Sequence, residues 1–402
     1  MDRVASLAES AGAFTRVLET REARRVAAGG LVGRFREGGT GLALILAVRG
    51  THGSFAAAGA ASAAYLVAAA ACRPLHGRWV DRAGSRIPLL GGSALNSLTL
   101  VIVAAAAWRE AAGWMLIALS ALAGVTLPAL SATMRALWPR LAPDAGEHAY
   151  ALDTLSYELS LIASPALVGG LAVAASPPLA LIVISALGLI GTSVVATAPV
   201  AGALDRERTG DGGGSSGLTD AVRSLIALSF FVGAAEGSMT VLAPGVASAH
   251  HDHAVSGLLL SILSVGSLLG VLAYGSVSDR GTLPRRLIAG TGGLTIACVL
   301  LATFGSTLAG FAETAVLVGL MLSPTLTAGF VAIRLAAAAG ALTEAFTWAS
   351  FAAAGGAAAS QALAGALIAG PGVDTALWLA PVAAFAGLGG AIFSRKRMIV
   401  QT

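Results

Sequence analysis

Two guanidiniums and a carboxylate, Arg34, Arg36 and Glu37, stand in the segment GRFREGG, inside a run otherwise made of Ala, Gly, Leu and Val. A charge at the centre of a hydrocarbon layer costs about 3 kcal/mol or more unless it pairs or lines a wet cavity, so such residues are functional candidates. At 1.5 Å per residue Arg34 lies about 13 Å along a helix from Arg25, near a bilayer midplane. Arg34 and Glu37 are three apart and can pair on one helical face, whereas Arg36 points elsewhere and needs another partner. Glu158, Glu236 and Glu344, in other apolar runs at comparable depth, are the acids on offer. A carboxyl desolvated by apolar helices can exchange its proton near neutral pH. Glu236, Glu158 and Glu37 are therefore the candidate proton-coupling acids, with Glu236 or Glu158 preferred, and Arg34 and Arg36 set the local field. Static ion pairs that fix helix register are the competing reading.

Other polar residues in the same runs can meet a solute: Tyr157, Asp153, Glu344, Thr347, Trp348 and Gln361, with Tyr150 beside them. The run His250, His251, Asp252, His253 sits in a loop and is read as solvated; metal binding or pH sensing is its alternative. Cys72 and Cys298 lie far apart with no Cys-x-x-Cys or Cys/His spacing, so they are read as small core residues and no metal is expected. No nucleophile–base constellation and no phosphate-binding loop is present, which argues against an enzyme or an ATP-driven pump.

The elements that must carry these charges are set by composition. Of the 402 residues 56% are hydrophobic and 11% charged, and the mean hydropathy is +0.81. Soluble domains are roughly a quarter charged, so the solvent is lipid. Dividing the chain at charge and Gly/Pro clusters gives twelve runs of about 20 apolar residues, each long enough to span. They begin near residues 26, 56, 87, 113, 150 and 178, and near 222, 255, 287, 309, 343 and 375. Residues 1–25 place Val4, Leu7, Ala11, Phe14 and Leu18 at helical spacing, which predicts an amphipathic cytoplasmic helix at the interface rather than a cleaved signal. The stretch Asp205 to Thr219, DRERTGDGGGSSGLT, predicts a flexible linker. The expected division is 1–25, a six-helix bundle over 26–200, a linker over 201–220, a second bundle over 221–394, and a tail over 395–402. Of the 25 basic residues, only Arg49 and Arg109 fall in external loops when the N-terminus is inside, and Arg34 and Arg36 fall within span one. Positive charge is disfavoured in short external loops, so both termini are expected in the cytoplasm. The net charge of +4 follows from this topology and not from a nucleic-acid patch.

The two halves repeat at an offset of about 198 residues. Gly77, Asp81 and Arg82 in GRWVDRAG recur as Gly275, Asp279 and Arg280 in GSVSDRG; Pro128 has a counterpart in Pro324; and SPALVGG at Ser164 to Gly170 is matched by SQALAGA at Ser360 to Ala366. Glu37 and Glu236 fall within one residue of the same offset. The sequence Gly77-x-x-x-Asp81-Arg82-x-Gly84-Ser85-Arg86 resembles the GxxxDRxGRR signature of the major facilitator superfamily, departing at Ser85, and is expected in a tight loop after span two. The resemblance implies an all-α integral membrane protein with twelve transmembrane helices in two pseudo-symmetric six-helix bundles, the major facilitator fold. It also implies a cavity lined by spans one, five, seven and eleven, and a conformational latch made by Gly77, Asp81, Arg82, Gly84 and Arg86 with the second copy at Gly275, Asp279 and Arg280. Pro165, Gly169 and Gly170 are similar to a weakened form of the GPxxGG motif of proton-coupled drug exporters, a bend and packing element of span five. The family's intramembrane arginine of span four has no match; its first arginine there is Arg135, at the cytoplasmic end. The expected function is alternating-access, proton-coupled efflux of an amphipathic small molecule such as a drug or secondary metabolite, with uptake symport of a small polar or anionic metabolite as the alternative. The proton gradient replaces any cofactor, the partners are the solute, protons and the lipid bilayer without nucleic acid, and the protein is expected as a monomer in a bacterial inner membrane.

Overall fold

The computed structural model describes residues 17–142, 146–204, 219–252, 255–276, 283–336 and 342–399. They form α1 (Arg21–His52), α2 (Phe55–Ala83), α3 (Arg86–Trp108), α4 (Gly113–Val125), α5 (Leu130–Leu141), α6 (Gly146–Ala174), α7 (Pro177–Ala196), α8 (Pro199–Leu204), α9 (Asp220–Ala249), α10 (Val255–Ser276), α11 (Leu283–Phe304), α12 (Leu308–Ala336), α13 (Leu342–Ala369), α14 (Val373–Leu377) and α15 (Leu379–Ile399). Hydroxyl caps start several of them: Thr20 Oγ1 accepts from Ala23 N, Ser54 Oγ from Ala57 N and Thr219 Oγ1 from Val222 N. Among the described residues, eleven helical stretches are long and apolar enough to cross a membrane. The first span, α1, falls short on composition because Arg34, Arg36 and Glu37 lie in its middle. At 32 residues it is about 48 Å long, more than a hydrocarbon core needs. Spans two and three are α2 and α3, four is α4 with α5, five and six are α6 and α7, seven to eleven are α9 to α13, and twelve is α14 with α15.

Three local features differ from the expectation. The segment holding Gly77, Asp81 and Arg82 is the last two turns of α2 and not a loop; only Gly84 and Ser85 separate it from α3. Gly84, at φ +78°, is what stops the helix, since a left-handed residue is cheap only for glycine. Span four is broken at Thr126–Ala129 around Pro128, whereas its repeat counterpart Pro324 sits inside an unbroken α12. Helix α1 runs without interruption across the boundary expected at residue 25. Residues 1–16, the linker core 205–218, Asp279 and Arg280 lie outside the described residues, and Gly275 is described only as backbone of α10.

Within the N-terminal half α1 packs on α7, α6 and α2, and α3 on α7; in the C-terminal half α9 packs on α13 and α15, and α12 on α10 and α11. The halves join along two seams, α2 with α13 and α6 with α10. The seams are related by the sequence repeat. A side chain at Gly59 would collide with the Gln361 carbonyl and lie 3.2 Å from Gly365 Cα; one at Gly257 would collide with the Pro165 carbonyl and lie 3.1 Å from Gly169 Cα. Gly257 is the repeat mate of Gly59, and Pro165 and Gly169 are those of Gln361 and Gly365. The same small residues thus bring backbones into contact twice, as membrane helices require when apolar side chains gain nothing over lipid.

Proline 165 adds something its counterpart Gln361 cannot. It has no N–H for the Leu161 carbonyl, and Ser264 Oγ of α10 donates to that carbonyl at 3.1 Å, while Ser261 Oγ donates to Ile162 O at 2.6 Å. Between α1 and α9 the contacts are Gly41 against Thr240, and Arg49, which donates to Ser248 and lies over the Phe55 ring at 4.5 Å. All of these cross-half contacts fall in the part of each span away from the linker, here termed the far end.

Replacing Gly257 by Val is expected to force this seam apart while each bundle stays folded. In a background carrying Cys72→Ser and Cys298→Ser, Thr240→Cys should then be labelled severalfold faster by a membrane-impermeant maleimide supplied at the far end. Unchanged labelling would show that this seam does not hold the far end closed.

Candidate transport chamber

Toward the middle of the spans, Gly41 meets Thr240 between α1 and α9, and Leu161 and Ile162 of α6 accept from Ser264 and Ser261 of α10. One helical turn closer to the linker end, on the same faces, stand Glu37 below Gly41, Glu158 below Ile162 and Glu236 below Thr240. Residues four apart lie one above the other, so the three carboxylates floor the space beneath the seal. Glu236 is exposed, Glu37 and Glu158 are half-buried, and Glu158 Oε2 is buried with no hydrogen-bond partner. Tyr157 lies within electrostatic reach of Glu37, Glu158, Glu236 and Arg73, and Glu158 acts on Glu236 across the two halves. Tyr157 thus lies within electrostatic reach of groups from spans one, two, five and seven, and the space beneath the seal is the candidate chamber.

The two guanidiniums of span one are not in it. Arg34 is fully buried and makes a salt bridge through Nη2 to Asp153 Oδ1 at 2.6 Å. Its Nη1 donates to the Asp153 carbonyl at 3.0 Å and to Ser156 Oγ, and its Nε donates to Ser131 Oγ at 3.3 Å. Asp153 Oδ1 also accepts from Trp138 Nε1 at 2.9 Å, and Tyr157 covers the guanidinium at 5.9 Å. The expected Arg34–Glu37 pair is bridged instead of direct: Ser131 Oγ donates to Glu37 Oε2 at 2.8 Å.

Arg36 turns into the N-terminal bundle. Its Nη2 donates to Ser93 Oγ at 2.8 Å, Ser97 Oγ at 3.2 Å and the Ser185 carbonyl at 3.4 Å, and Nε and Nη1 have no partner. Any side chain at Gly188 would overlap the guanidinium, so this glycine makes the room for it. The acid expected to pair with Arg36 is thus replaced by serine hydroxyls. Span one approaches span six closely enough for this because Gly29 and Gly33 meet Gly191.

The remaining candidates divide. Asp153, expected to meet solute, is buried and committed to Arg34 and Trp138. Gln361 is buried in the α2–α13 seam with Oε1 unpartnered. Trp348 is 47% exposed and packs edge-on against Phe351. The side chains of Glu344, Thr347, Tyr150, Gly77, Asp81 and Arg82 lie outside what is described, although their backbones are helical. Arg86 is exposed at the start of α3. Pro165 and Gly169 are buried in the α6–α10 seam, whereas Gly170 is exposed with open space around it. His250 Nε2 meets the Ser306 carbonyl at 2.7 Å, and its repeat mate His52 meets that of Ala111 at 2.6 Å, so both rings brace loops; His253 lies outside the described residues. Ser131, Trp138 and Ser156 complete the buried network without standing out in sequence. Their only signal is spacing: Ser131 and Trp138 are seven apart on one face of α5, and Ser156 is one turn from Asp153.

A family model, Major Facilitator Superfamily, matches residues 26–224. No curated protein matches the sequence. The crystal structure of the nucleoside transporter NupG is similar at TM-score 0.73 and 13% identity, over 94% of this chain and 99% of that one. A bacterial metal transporter is similar at TM-score 0.68 and 16% identity, over 94% and 98%. A POT family transporter in complex with 5-aminolevulinic acid is similar at TM-score 0.68 and 14% identity, over 92% and 96%. At such identities these likenesses carry the fold.

Asp153→Asn leaves the Arg34 guanidinium buried without its counter-charge, which typically costs about 3–5 kcal/mol. Thermal unfolding in detergent should fall markedly, and the double substitution Arg34→Gln with Asp153→Asn should recover part of the loss. Equal stability of Asp153→Asn and wild type would show that the pair is not a buried charge compensation.

Proposed function

Because the chain belongs to the Major Facilitator Superfamily, we propose that this transporter is a proton-coupled exporter of an amphipathic organic cation, working by alternating access. The observation that carries this reading is the charge of the chamber. Glu37, Glu158 and Glu236 lie at its closed end together with Tyr157, while Arg34 is neutralised by Asp153 and Arg36 is withdrawn among serines. Arg73 is the cation that remains within reach of Tyr157 among the described residues. Carboxylates beside an aromatic ring favour a cation with an apolar body. They also bind protons, and a solute and a proton that need the same carboxylates exclude one another, which is the requirement of an exchanger. Uptake of an anion draws its support from guanidiniums facing the solute, and neither Arg34 nor Arg36 is placed to supply one.

The paired glycine seams hold the far end together, and we take the acids to be reached from the linker end. With the termini in the cytoplasm of a bacterial cell, as the arginine distribution favours, this arrangement takes solute from the cytoplasm. Glu236 belongs to the opposite half from Glu37 and Glu158, so a rocking of the two halves changes its distance from both. That makes Glu236 and Glu158 the residues on which coupling depends most.

In proteoliposomes, an imposed pH gradient should drive accumulation of a fluorescent lipophilic cation by the wild type, with the sign of exchange. Glu236→Gln and Glu158→Gln should each reduce gradient-driven accumulation severalfold and flatten its pH dependence. If both leave the pH dependence intact, or if a protonophore raises rather than lowers export, the assignment is wrong.

A further inference from the structure

Ser131 stands between the two charge systems of the N-terminal half. Its Oγ donates to Glu37 Oε2 at 2.8 Å and accepts from Arg34 Nε at 3.3 Å. Arg34 in turn is held by Asp153 and Ser156, and Asp153 Oδ1 accepts from Trp138 Nε1, on the same helix as Ser131. Helix α5 is therefore pinned at two points, by Ser131 to span one and by Trp138 to span five. It begins beyond the break at Thr126–Ala129, so no continuous ladder of backbone bonds fixes it to α4.

A hydroxyl has one proton to give and two lone pairs to accept with. With Glu37 ionised, the Ser131 proton is given to the carboxylate and a lone pair remains for Arg34. A proton that arrives on Glu37 Oε2 from the chamber turns that oxygen into a donor. Two donors, Glu37 and Arg34, then meet at one Oγ, and the Ser131 proton must rotate to another acceptor or the contact opens. No covalent bond changes apart from the O–H formed on Glu37. The charge state of Glu37 is nonetheless felt at Arg34, and through it at Asp153.

We infer that Ser131 is a positioning residue: its hydroxyl sets the proton affinity of Glu37 and ties that proton to the Arg34–Asp153 pair. The inference rests on the proposal that this transporter is proton-coupled. Arg36 on its own helix, Tyr65 on span two and Tyr157 on span five lie within electrostatic reach of Glu37, Arg34 meets it through Ser131, and Arg73, Glu158 and Glu236 share Tyr157 with it. Among the described residues, the hydrogen bond that the Glu37 carboxylate accepts comes from Ser131.

The test is a pH titration of purified protein by infrared difference spectroscopy, following the carbonyl stretch of protonated carboxyls, together with transport by the same variants in proteoliposomes. Wild type, Glu37→Gln, Ser131→Ala and Ser131→Thr are compared, and Glu37→Gln identifies the Glu37 band by removing it. Ser131→Ala is expected to move the midpoint of that band up by about one pH unit, the worth of one hydrogen bond to a charged group. The pH profile of transport should move the same way, and Ser131→Thr should restore both. A hydroxyl needed only for packing would lower the rate and leave the midpoint in place, so an unmoved midpoint overturns the inference. Failure of Glu37→Gln to remove any titrating band overturns it as well. If the band moves as expected while wild-type transport is independent of pH, Ser131 keeps its role and the proton-coupled proposal falls.

Discussion

A guanidinium in the middle of a membrane span has to be met by protein groups, because lipid offers none and water reaches only where a cavity admits it. Span one carries two such groups, and the N-terminal half is arranged to meet them. Arg34 draws together span five through Asp153 and Ser156 and the second piece of span four through Ser131. Arg36 draws in spans three and six through Ser93, Ser97 and the Ser185 carbonyl. Span one is thus held on several sides by polar contacts as well as by glycine packing. A helix of this composition has no stable place in lipid by itself. Its neighbours supply what the bilayer withholds, and this dependence fixes its register and hence the height of Glu37.

The seam between the halves obeys the complementary rule. Where no charge needs satisfying, apolar side chains gain little by leaving lipid, and helices associate by letting backbones approach. Gly59 and Gly257 do so at equivalent places, against Gln361 with Gly365 and against Pro165 with Gly169. The symmetry of the repeat is expressed in these contacts. It is not expressed in the charges, since the N-terminal half holds the buried pair, the serine cage and two of the three chamber acids.

Much of this was legible in the sequence, because the physics involved is local. Span positions follow from runs of about 20 apolar residues, and the repeat follows from motifs that recur in order. The depth of Glu37, Glu158 and Glu236 is a matter of counting along helices. What sequence does not show is which way a side chain turns once neighbours compete for it. Arg34 and Glu37 are spaced to pair, yet Ser131 intervenes and Asp153 takes the guanidinium. Asp153 sits near Tyr157 and looks solute-facing, but it lies on the side of α6 that meets span one. Arg36 has acids at its level, yet its direction on the helix takes it to Gly188. The end of α2 is expected as a tight loop from its resemblance to the family signature, whereas a polar segment at a membrane exit is compatible with helix until Gly84 stops it.

The division of labour between the halves bears on how coupling could arise. Glu37 and Glu158 are fixed to the Arg34–Asp153 system through spans one and five, whereas Glu236 arrives from the other half on span seven. Any motion that opens the glycine seams must carry Glu236 relative to that fixed system, altering its repulsion with Glu158. A proton or a cation placed among the three acids relieves the repulsion and lowers the cost of bringing them together. Binding and closure then become the same event in energetic terms, because the ligand has different affinities for the two arrangements. The break in span four leaves α5 joined to both charge systems by Ser131 and Trp138, while Leu130 and Met134 pack on Gly33 and Gly30 of span one, so a change at Glu37 is passed to spans one and five together.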